Sequence, residues 1–255
     1  MLPQIDMLTF ETQARNKGLR FILGVDEAGR GPLAGPVVAA AVCLRQIDFK
    51  NHINDSKKMT AKAREAAFHE IFEKAYVGIG IMSEKTIDIV NILNASHMAM
   101  EMAVNELIHS MPQQEVLHET FLPGVKFLVD GNIFRTQLPY QYQTIIGGDG
   151  KSLSIACASI IAKVYRDRIL GVYDKIFPQY GFAKHKGYPT KAHRLAIKKH
   201  GTSIIHRKTF HGSVIASPKD NEGPHTGHSQ QLAISTPCVI ARSPKGDEAI
   251  SERTT

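Results

Sequence analysis

Four acidic side chains follow apolar segments of the sequence, where a strand would end and a loop would begin. They are Asp26, Glu27, Asp130 and Asp149. In an open α/β sheet, ligands bind in the crevice beyond the carboxyl ends of the strands. Carboxylates gathered there would repel one another, and a divalent cation relieves that repulsion; hard oxygen ligands suit Mg²⁺ or Mn²⁺. Two such ions about 3.5–4 Å apart could activate a water and stabilise the leaving oxygen in phosphodiester cleavage.

Each of these residues also has an ordinary structural interpretation. Aspartate is common in turns, and Asp130-Gly131 is a frequent turn dipeptide. Asp26 and Glu27 raise a further question, because neighbouring side chains on a regular strand point to opposite faces of the sheet. The pair can share one site only if the strand breaks there, or if one of the two contributes differently.

Apolar runs and their flanking residues predict the elements that would position these carboxylates. We expect five strands, at residues 20–25, 37–44, 76–82, 125–129 and 142–146. We expect four helices, at residues 60–75, 92–110, 152–177 and 190–200. Thr60 and Thr190 are suitable caps for the first and last of these helices. The order of elements indicates an α/β fold in which helices pack on a mixed sheet.

The charge of the chain favours a polyanionic partner. The 255 residues contain 31 Lys and Arg against 24 Asp and Glu, and the first 212 residues hold 27 of these cations and 19 of the acids. A basic body of this kind suggests nucleic acid, although many basic proteins bind none. No run approaches the ~18 apolar residues of a membrane span, and no signal peptide is evident at the start. Three widely separated cysteines form no disulfide framework, so we expect a cytoplasmic protein.

Composition divides the chain into three parts. Residues 1–19 are polar and mixed, and we expect a short helix or arm before the fold. Residues 20–212 hold all the predicted strands and helices. Residues 213–255 contain four of the twelve prolines and no aromatic residue, which is typical of a disordered tail.

Several long motifs resemble those of one family. The opening motif is GVDEAGRGPLAGP at residues 24–36, followed by NDSKK at 54–58 and VDGN at 129–132. The segments ASIIAKVYRD at 158–167 and FPQYGFAKHKGYPT at 177–190 follow in the same order. Together they resemble ribonuclease HII, the bacterial type 2 ribonuclease H family, over roughly residues 20–212. The resemblance implies a ribonuclease-H-like mixed β-sheet flanked by helices, with a C-terminal helical region.

The resemblance also implies an activity and its metal ligands. The family cleaves the RNA strand of RNA–DNA hybrids and incises 5′ to ribonucleotides embedded in duplex DNA, leaving a 5′-phosphate and a 3′-hydroxyl. Carried over by motif, the catalytic metal ligands are Asp26, Glu27, Asp130 and Asp149, with Mn²⁺ or Mg²⁺ as the ion. Asp149 lies in a looser match, and Asp167 in the motif at 158–167 competes with it for the fourth position.

The same motifs suggest how the substrate is bound. Gly29, Arg30 and Gly31 resemble the segment that reads the ribonucleotide, and Tyr188 resembles the tyrosine that packs against the sugar at the RNA–DNA junction. A 2′-hydroxyl both donates and accepts, and it distinguishes RNA from DNA. The candidate phosphate contacts are Lys57, Lys58, Lys151, Lys184 and Lys186, with hydroxyls from Ser152 and Ser154. A glycine turn, a packed tyrosine and solvated lysines are the plain alternatives.

Two other functions fit parts of this pattern. A catalytically silent binder of hybrid duplexes would share the basic body, but it would not need all four acidic positions. A phosphotransferase or phosphatase acting on a small molecule would share the acidic site, but it would not need the basic body or the loop at residues 29–31. We therefore expect a metal-dependent nuclease that acts as a monomer on RNA–DNA hybrids and ribonucleotide-containing duplex DNA, with no membrane partner.

Overall fold

A five-stranded sheet forms the centre of the computed structural model, which describes residues 6–116 and 124–210. The strands are β1 Phe21–Ala28, β2 Val37–Leu44, β3 Ala75–Met82, β4 Val125–Asp130 and β5 Gln141–Ile145. Their order across the sheet is β3-β2-β1-β4-β5. β1, β2 and β3 pair antiparallel, whereas β4 and β5 run parallel to β1. The α/β fold and the mixed sheet that the sequence predicts are therefore confirmed.

Seven helices accompany the sheet in the described part of the chain. They are α1 Thr9–Asn16, α2 Ala61–Lys74, α3 Glu84–Ser110, α4 Gln113–Val116, α5 Leu153–Ile176, α6 Phe182–His185 and α7 Lys191–His200. Thr60 and Thr190 cap α2 and α7 through their side chains, as predicted. The last two helices form the expected C-terminal helical region. Among the described residues, no helix has the length and apolarity needed to cross a bilayer.

Helices cover both faces of the sheet, and alternate strand residues face them. On β1, Leu23 and Val25 pack with the core that includes α3. Gly24 faces α5 so closely that a Cβ on it would lie 2.0 Å from the backbone carbon of Ser154. Because side chains alternate along a strand, Asp26 shares the α5 face with Gly24. Residue 27 then falls on the α3 face.

Two boundaries differ by more than one residue from those predicted. The predicted end of the first strand at residue 25 is wrong, because β1 stays paired with β2 as far as Ala28. Its pairing with β4 does end at Val25. The third helix begins before the predicted residue 92. Asn91 has φ 66° and ψ 167°, which interrupts α3, and its side-chain oxygen accepts the Asn94 N–H at 3.1 Å. The periodic pattern therefore identifies only the second segment of α3.

The N-terminal segment packs on the domain. Its residues 6–19, which we predicted to form a short helix or arm, contain α1 and the buried side chains of Glu11, Ala14 and Leu19. Met7 accepts the Leu153 N–H at 2.7 Å, where α5 begins. These residues therefore belong to the same core as the sheet. The predicted tail at 213–255 lies outside the described residues, so it stays a prediction.

Candidate active site

Three of the four predicted carboxylates meet at one place. Asp26, Asp130 and Asp149 each offer an oxygen, and these oxygens all lie within 4.8 Å of one another. The sheet explains two of them: β1 and β4 are parallel, and their pairing brings Val25 opposite Val129, the residues just before Asp26 and Asp130. Asp26 and Asp130 therefore lie at the same edge of the sheet. Because side chains alternate along β1 and β4, both carboxylates are on the face that α5 covers.

A short turn after β5 supplies the third carboxylate. Asp149 is the centre of a 3-10 turn, Gly148–Gly150, and is buried. The Gly148 N–H donates to Oδ1 of Asp130 at 2.7 Å, which fixes the turn against β4. Gly147 adopts a left-handed backbone (φ 64°), which glycine tolerates without a steric penalty. Local backbone geometry therefore brings Asp149 next to Asp130.

Burial and mutual repulsion dominate the electrostatics of this site. Burial raises the pKa of Asp26 well above its ordinary value, and the charges of Glu27 and Asp130 raise it further. Burial also raises the pKa of Asp130, and the charge of Asp149 adds to that effect. Lys57 supplies a compensating cation, since its Nζ donates to Oδ2 of Asp149 at 3.1 Å. Close, buried oxygen ligands with this excess of negative charge fit a hard divalent cation.

Glu27 is placed differently from the other three carboxylates. The strand does not break between Asp26 and Glu27, and the Glu27 N–H donates to Oδ1 of Asp26 at 2.7 Å. The Glu27 carboxylate accepts from Arg30 at 3.3 Å and is not among the three oxygens that lie together. It is still close enough to Asp130 for that charge to contribute, after burial, to raising the pKa of Glu27. The strand is unbroken, so the first of the two possibilities for the pair does not apply, and a different contribution of Glu27 to the site stays a prediction.

Asp167 lies outside the carboxylate group. It is on α5, where its Oδ1 accepts from Lys163 at 2.6 Å, one helical turn away. The described residues contain one acidic group with metal-ligand spacing, and Asp149 is its third member. The structure therefore favours Asp149 over Asp167.

The predicted recognition loop follows directly from β1. Gly29 is buried, whereas Arg30 and Gly31 are exposed. Tyr188 comes from the loop between α6 and α7, and 42% of its surface is exposed. A Cβ built on Gly31 would lie 3.7 Å from Cε1 of Tyr188 and, its chain neighbours aside, within 4 Å of no other described residue. The fold thus brings together two residues that the sequence predicts to recognise the ribonucleotide and that are far apart in the chain.

The predicted phosphate contacts have mixed surroundings. Lys57 reaches Asp149, and Lys58 lies 3.7 Å from Asp55. Lys151 donates to the carbonyl of Ile146 at 2.6 Å. Lys184 is exposed on α6, and Lys186 is half-buried, with its Nζ 3.4 Å from the Asp167 carbonyl. Lys57, Lys151 and Lys184 all keep an exposed surface.

Ser152 and Ser154 are placed where they cannot reach a substrate phosphate. Both are fully buried at the start of α5. Their hydroxyls donate to Oε1 of Glu11 at 2.6 and 2.7 Å, and the Ser154 N–H donates to the same oxygen at 3.0 Å. Their hydroxyls are therefore structural, because they hold α1 on the first turn of α5.

Sequence reasoning missed four residues that support the site. Ser159 hydrogen-bonds Asp26 and thereby opposes the rise in its pKa, and Glu11 anchors the helix that follows the Asp149 turn. Arg166 and Arg207 are buried beneath the loop at residues 29–36 and donate to its carbonyls. Arg166 lies in the motif at residues 158–167, one of those that carry the family resemblance, so the sequence does contain a signal for this residue. Glu11 and Arg207 gave no such signal, because their partners are more than 140 residues away in the chain.

Known proteins match this chain over most of its length. The family profile described as Ribonuclease HII matches residues 23–212. The ribonuclease HII of Acetivibrio thermocellus is 52% identical over 207 residues, covering 81% of this chain and 75% of that protein. That of Syntrophotalea carbinolica is 46% identical over 209 residues, covering 82% and 93%.

Solved structures show the same fold. The ribonuclease HII of Archaeoglobus fulgidus, solved in complex with PCNA, superposes with a TM-score of 0.53 at 24% identity, covering 74% of this chain and 94% of that one. The ribonuclease H2 of Pyrococcus horikoshii gives a TM-score of 0.51 at 25% identity, covering 74% and 93%. With the profile match extending over the sheet, the carboxylate group and the C-terminal helices, the chain belongs to the ribonuclease HII family, whose members are metal-dependent endonucleases that cleave the RNA of RNA–DNA hybrids.

Proposed function

We propose that this ribonuclease H also incises duplex DNA on the 5′ side of a single embedded ribonucleotide, leaving a 5′-phosphate and a 3′-hydroxyl. One observation carries the proposal: the exposed backbone of Gly31 lies next to the exposed ring of Tyr188. Gly31 is on the loop that directly follows β1, the strand that holds Asp26. A site that must act on one ribonucleotide needs contacts to one sugar, placed next to the cleavage chemistry. This loop supplies such contacts only a few residues from the carboxylates.

The recognition residues divide the work between sugar and phosphate. Gly31 lets the backbone approach the ribose closely, and the peptide N–H groups of the loop can donate to its 2′-hydroxyl. The Arg30 side chain is 53% exposed, and its ion pair with Glu27 holds the guanidinium beside the site, where it can bind an adjacent phosphate. The Tyr188 ring packs on the sugar and excludes water, while its hydroxyl donates a hydrogen bond.

The metal would be held by Asp26, Asp130 and Asp149, with Glu27 as the fourth acidic ligand, and we propose Mn²⁺ or Mg²⁺ as the ion. When bound, a divalent cation supplies an activated water and stabilises charge on the leaving oxygen. The carboxylates would supply the ligand oxygens, and these would stay ionised once a cation offsets their repulsion. Lys57 holds the Asp149 carboxylate in place, and Ser159 donates to Asp26. Glu27 can join the site if its carboxylate exchanges its contact with Arg30 for a contact with the metal.

Phosphate contacts in this proposal come from Lys57, Lys151 and Lys184. Each keeps an exposed surface on the side chain, and the excess of positive charge in the first 212 residues favours a polyanion. Ser152 and Ser154 are not included, because their hydroxyls are buried and already paired with Glu11.

We further propose that the protein works as a monomer in the cytoplasm, without a membrane partner. The buried, free thiol of Cys157 is compatible with a reducing compartment. The site residues discussed above all come from one chain, so the proposed chemistry needs no second copy.

Cleavage of three duplexes tests the proposal. They carry one embedded ribonucleotide, a continuous RNA–DNA hybrid strand, or DNA only, and each is incubated under single-turnover conditions with Mn²⁺ or Mg²⁺. We expect a nick 5′ to the single ribonucleotide, a 5′-phosphate and a 3′-hydroxyl at that nick, and no cleavage of the all-DNA duplex. Cleavage of the continuous hybrid alone would refute the embedded-ribonucleotide activity. Retention of the duplexes without any nick would instead identify a silent binder.

A further inference from the structure

Two arginines lie completely inside the protein beneath the recognition loop. Arg166 comes from α5, and Arg207 follows α7 near the end of the described chain; their exposed fractions are 1% and 0%. Arginine is rarely buried so fully unless its donors are paired. Neither residue belongs to the carboxylate group, and the mechanism above does not use either of them.

Arg207 takes up the carbonyl groups of the recognition loop. Its Nη1 donates to the Arg30 carbonyl at 3.0 Å, and its Nη2 donates to the Gly29 carbonyl at 2.6 Å. Its Nε and Nη2 also donate to the Gly35 carbonyl, at 2.9 and 2.7 Å. A planar guanidinium has five donors in a fixed geometry, whereas the ammonium of lysine could satisfy this set only in part.

Arg166 holds the other half of the same loop. It donates to the carbonyls of Ala34, Pro36 and Lys186 at 3.0, 2.9 and 2.9 Å. The last of these contacts ties the loop to the segment that carries Tyr188. Arg166 also explains why residue 29 is glycine: a Cβ there would lie 2.1 Å from the Arg166 Nε, and φ is +101°.

Pairing the carbonyls inward determines where the N–H groups point. The described chain contains no cis peptide bond, and in a trans peptide the C=O and the following N–H point in opposite directions. Because the Gly29 and Arg30 carbonyls point at Arg207, the N–H groups of Arg30 and Gly31 point away from it, toward the exposed side of the loop. Neither N–H donates to any other described residue.

A buried acid balances part of this positive charge. Glu84, at the start of α3, is buried, and its charge raises the pKa of both arginines against the lowering caused by burial. Burial and the neighbouring Arg166 lower the pKa of Arg207 to about 9, so it stays charged at neutral pH. The arrangement therefore places positive charge beneath the neutral peptide groups of the loop.

We propose that Arg207, with Arg166, is a positioning residue for ribonucleotide recognition: by binding the loop carbonyls from below, it orients the Arg30 and Gly31 N–H groups as donors to the substrate. This inference rests on the proposed function of the loop. It assigns to residues outside the active site the geometry that distinguishes one ribose within a DNA duplex.

Replacement of Arg207 by lysine tests the inference while keeping the charge. For Arg207→Lys, we expect single-turnover cleavage at one embedded ribonucleotide to fall about 10- to 100-fold, the effect of a misplacement of roughly 1 Å. The continuous hybrid offers a 2′-hydroxyl at every nucleotide, so its cleavage should fall much less. The matched control is Arg168→Lys, an exposed arginine on the same helix as Arg166 that pairs with Glu65; both of its rates should stay within about twofold of wild type. An unchanged ratio of the two rates in Arg207→Lys would overturn the inference.

Hydrogen exchange separates this inference from the proposed function. The Leu33 and Gly35 N–H groups are hydrogen-bonded within the loop region, to the carbonyls of Gly187 and Ile205. They should exchange at least about tenfold faster in Arg207→Lys than in Arg168→Lys, whether or not the enzyme nicks the embedded ribonucleotide. Equal exchange rates would refute the positioning role even if the cleavage activity is as proposed.

The wild-type protein provides a test if Arg207→Lys does not fold. Its Arg30 and Gly31 amide resonances should shift on addition of the duplex with one ribonucleotide in EDTA, which prevents cleavage. They should shift less with the all-DNA duplex. Equal responses to the two duplexes would overturn the assignment of these N–H groups as ribose donors.

Discussion

A methyl group added at Gly31 should separate recognition of the ribose from folding. Gly31 does not adopt a positive φ, and a Cβ added to it would make one ordinary contact, 3.7 Å from the Tyr188 ring. Gly31→Ala should therefore change the free energy of unfolding by no more than about 0.5 kcal/mol, or roughly 1–2 °C in Tm. The same methyl would occupy the space through which the sugar approaches. A displacement of about 1 Å corresponds to a loss of roughly 100-fold in rate, or about 2.7 kcal/mol in the activation barrier.

The assay is single-turnover cleavage of the duplex with one embedded ribonucleotide, beside thermal unfolding of each variant. Gly171→Ala on α5 is the control outside the site: an added Cβ there meets nothing within 4 Å, so the cleavage rate should not change, while the helix should gain about 0.5–1 kcal/mol in stability. Gly29→Ala is the opposite control, because its Cβ would overlap Arg166 and its backbone is strained for alanine. If Gly31→Ala folds normally and cleaves at the wild-type rate, the ribose does not approach this backbone and the recognition assignment is wrong.

Three further outcomes follow from the same geometry. Tyr188 is 42% exposed, so Tyr188→Phe should keep its stability and lose about two- to twelvefold in turnover at one ribonucleotide; an unchanged rate contradicts the junction contact. Arg30→Ala should weaken duplex binding and lower the rate while cleavage stays confined to ribonucleotides, and cleavage of all-DNA duplex would contradict that division of roles. In EDTA, the raised pKa values of Asp26, Glu27 and Asp130 mean that the folded state binds more protons than the unfolded state, so their contribution to stability is lost as pH rises above about 4. Asp26→Asn should therefore be more stable than wild type near pH 7, with the difference shrinking toward pH 4 in urea titrations; a difference that grows on acidification contradicts the sign.

Much of the site could be predicted from local sequence because the sheet obeys simple periodicity. Val37–Leu44 is apolar throughout and forms a strand with the predicted bounds. The carboxylates after the apolar runs do meet at one edge of the sheet. Because side chains alternate along a strand, we expected Asp26 and Glu27 to point to opposite faces of the sheet, and the structure separates them in this way. These features depend on neighbours a few residues away, and the sequence displays such neighbours directly.

The parts that could not be predicted depend on partners distant in the chain. Ser152 and Ser154 have the residue type of phosphate ligands, but Glu11 buries them, and nothing in the local sequence indicates that contact. The carbonyl partners of Arg207 lie more than 170 residues before it. β1 extends past its predicted end because β2 remains beside it. Tertiary contact decides each of these features.

The Mn²⁺ dependence of cleavage tests the central claim most directly. Single-turnover cleavage of the continuous hybrid is measured over a range of Mn²⁺ concentrations for the wild type, Asp130→Asn and Asp167→Asn. Asp130 belongs to the carboxylate group, whereas Asp167 pairs with Lys163 outside it. We predict that Asp130→Asn stays folded and shows no cleavage at any Mn²⁺ concentration, while Asp167→Asn cleaves within about threefold of wild type, an effect of less than 1 kcal/mol. Cleavage by Asp130→Asn at the wild-type rate would contradict the assignment of this carboxylate group as the metal site.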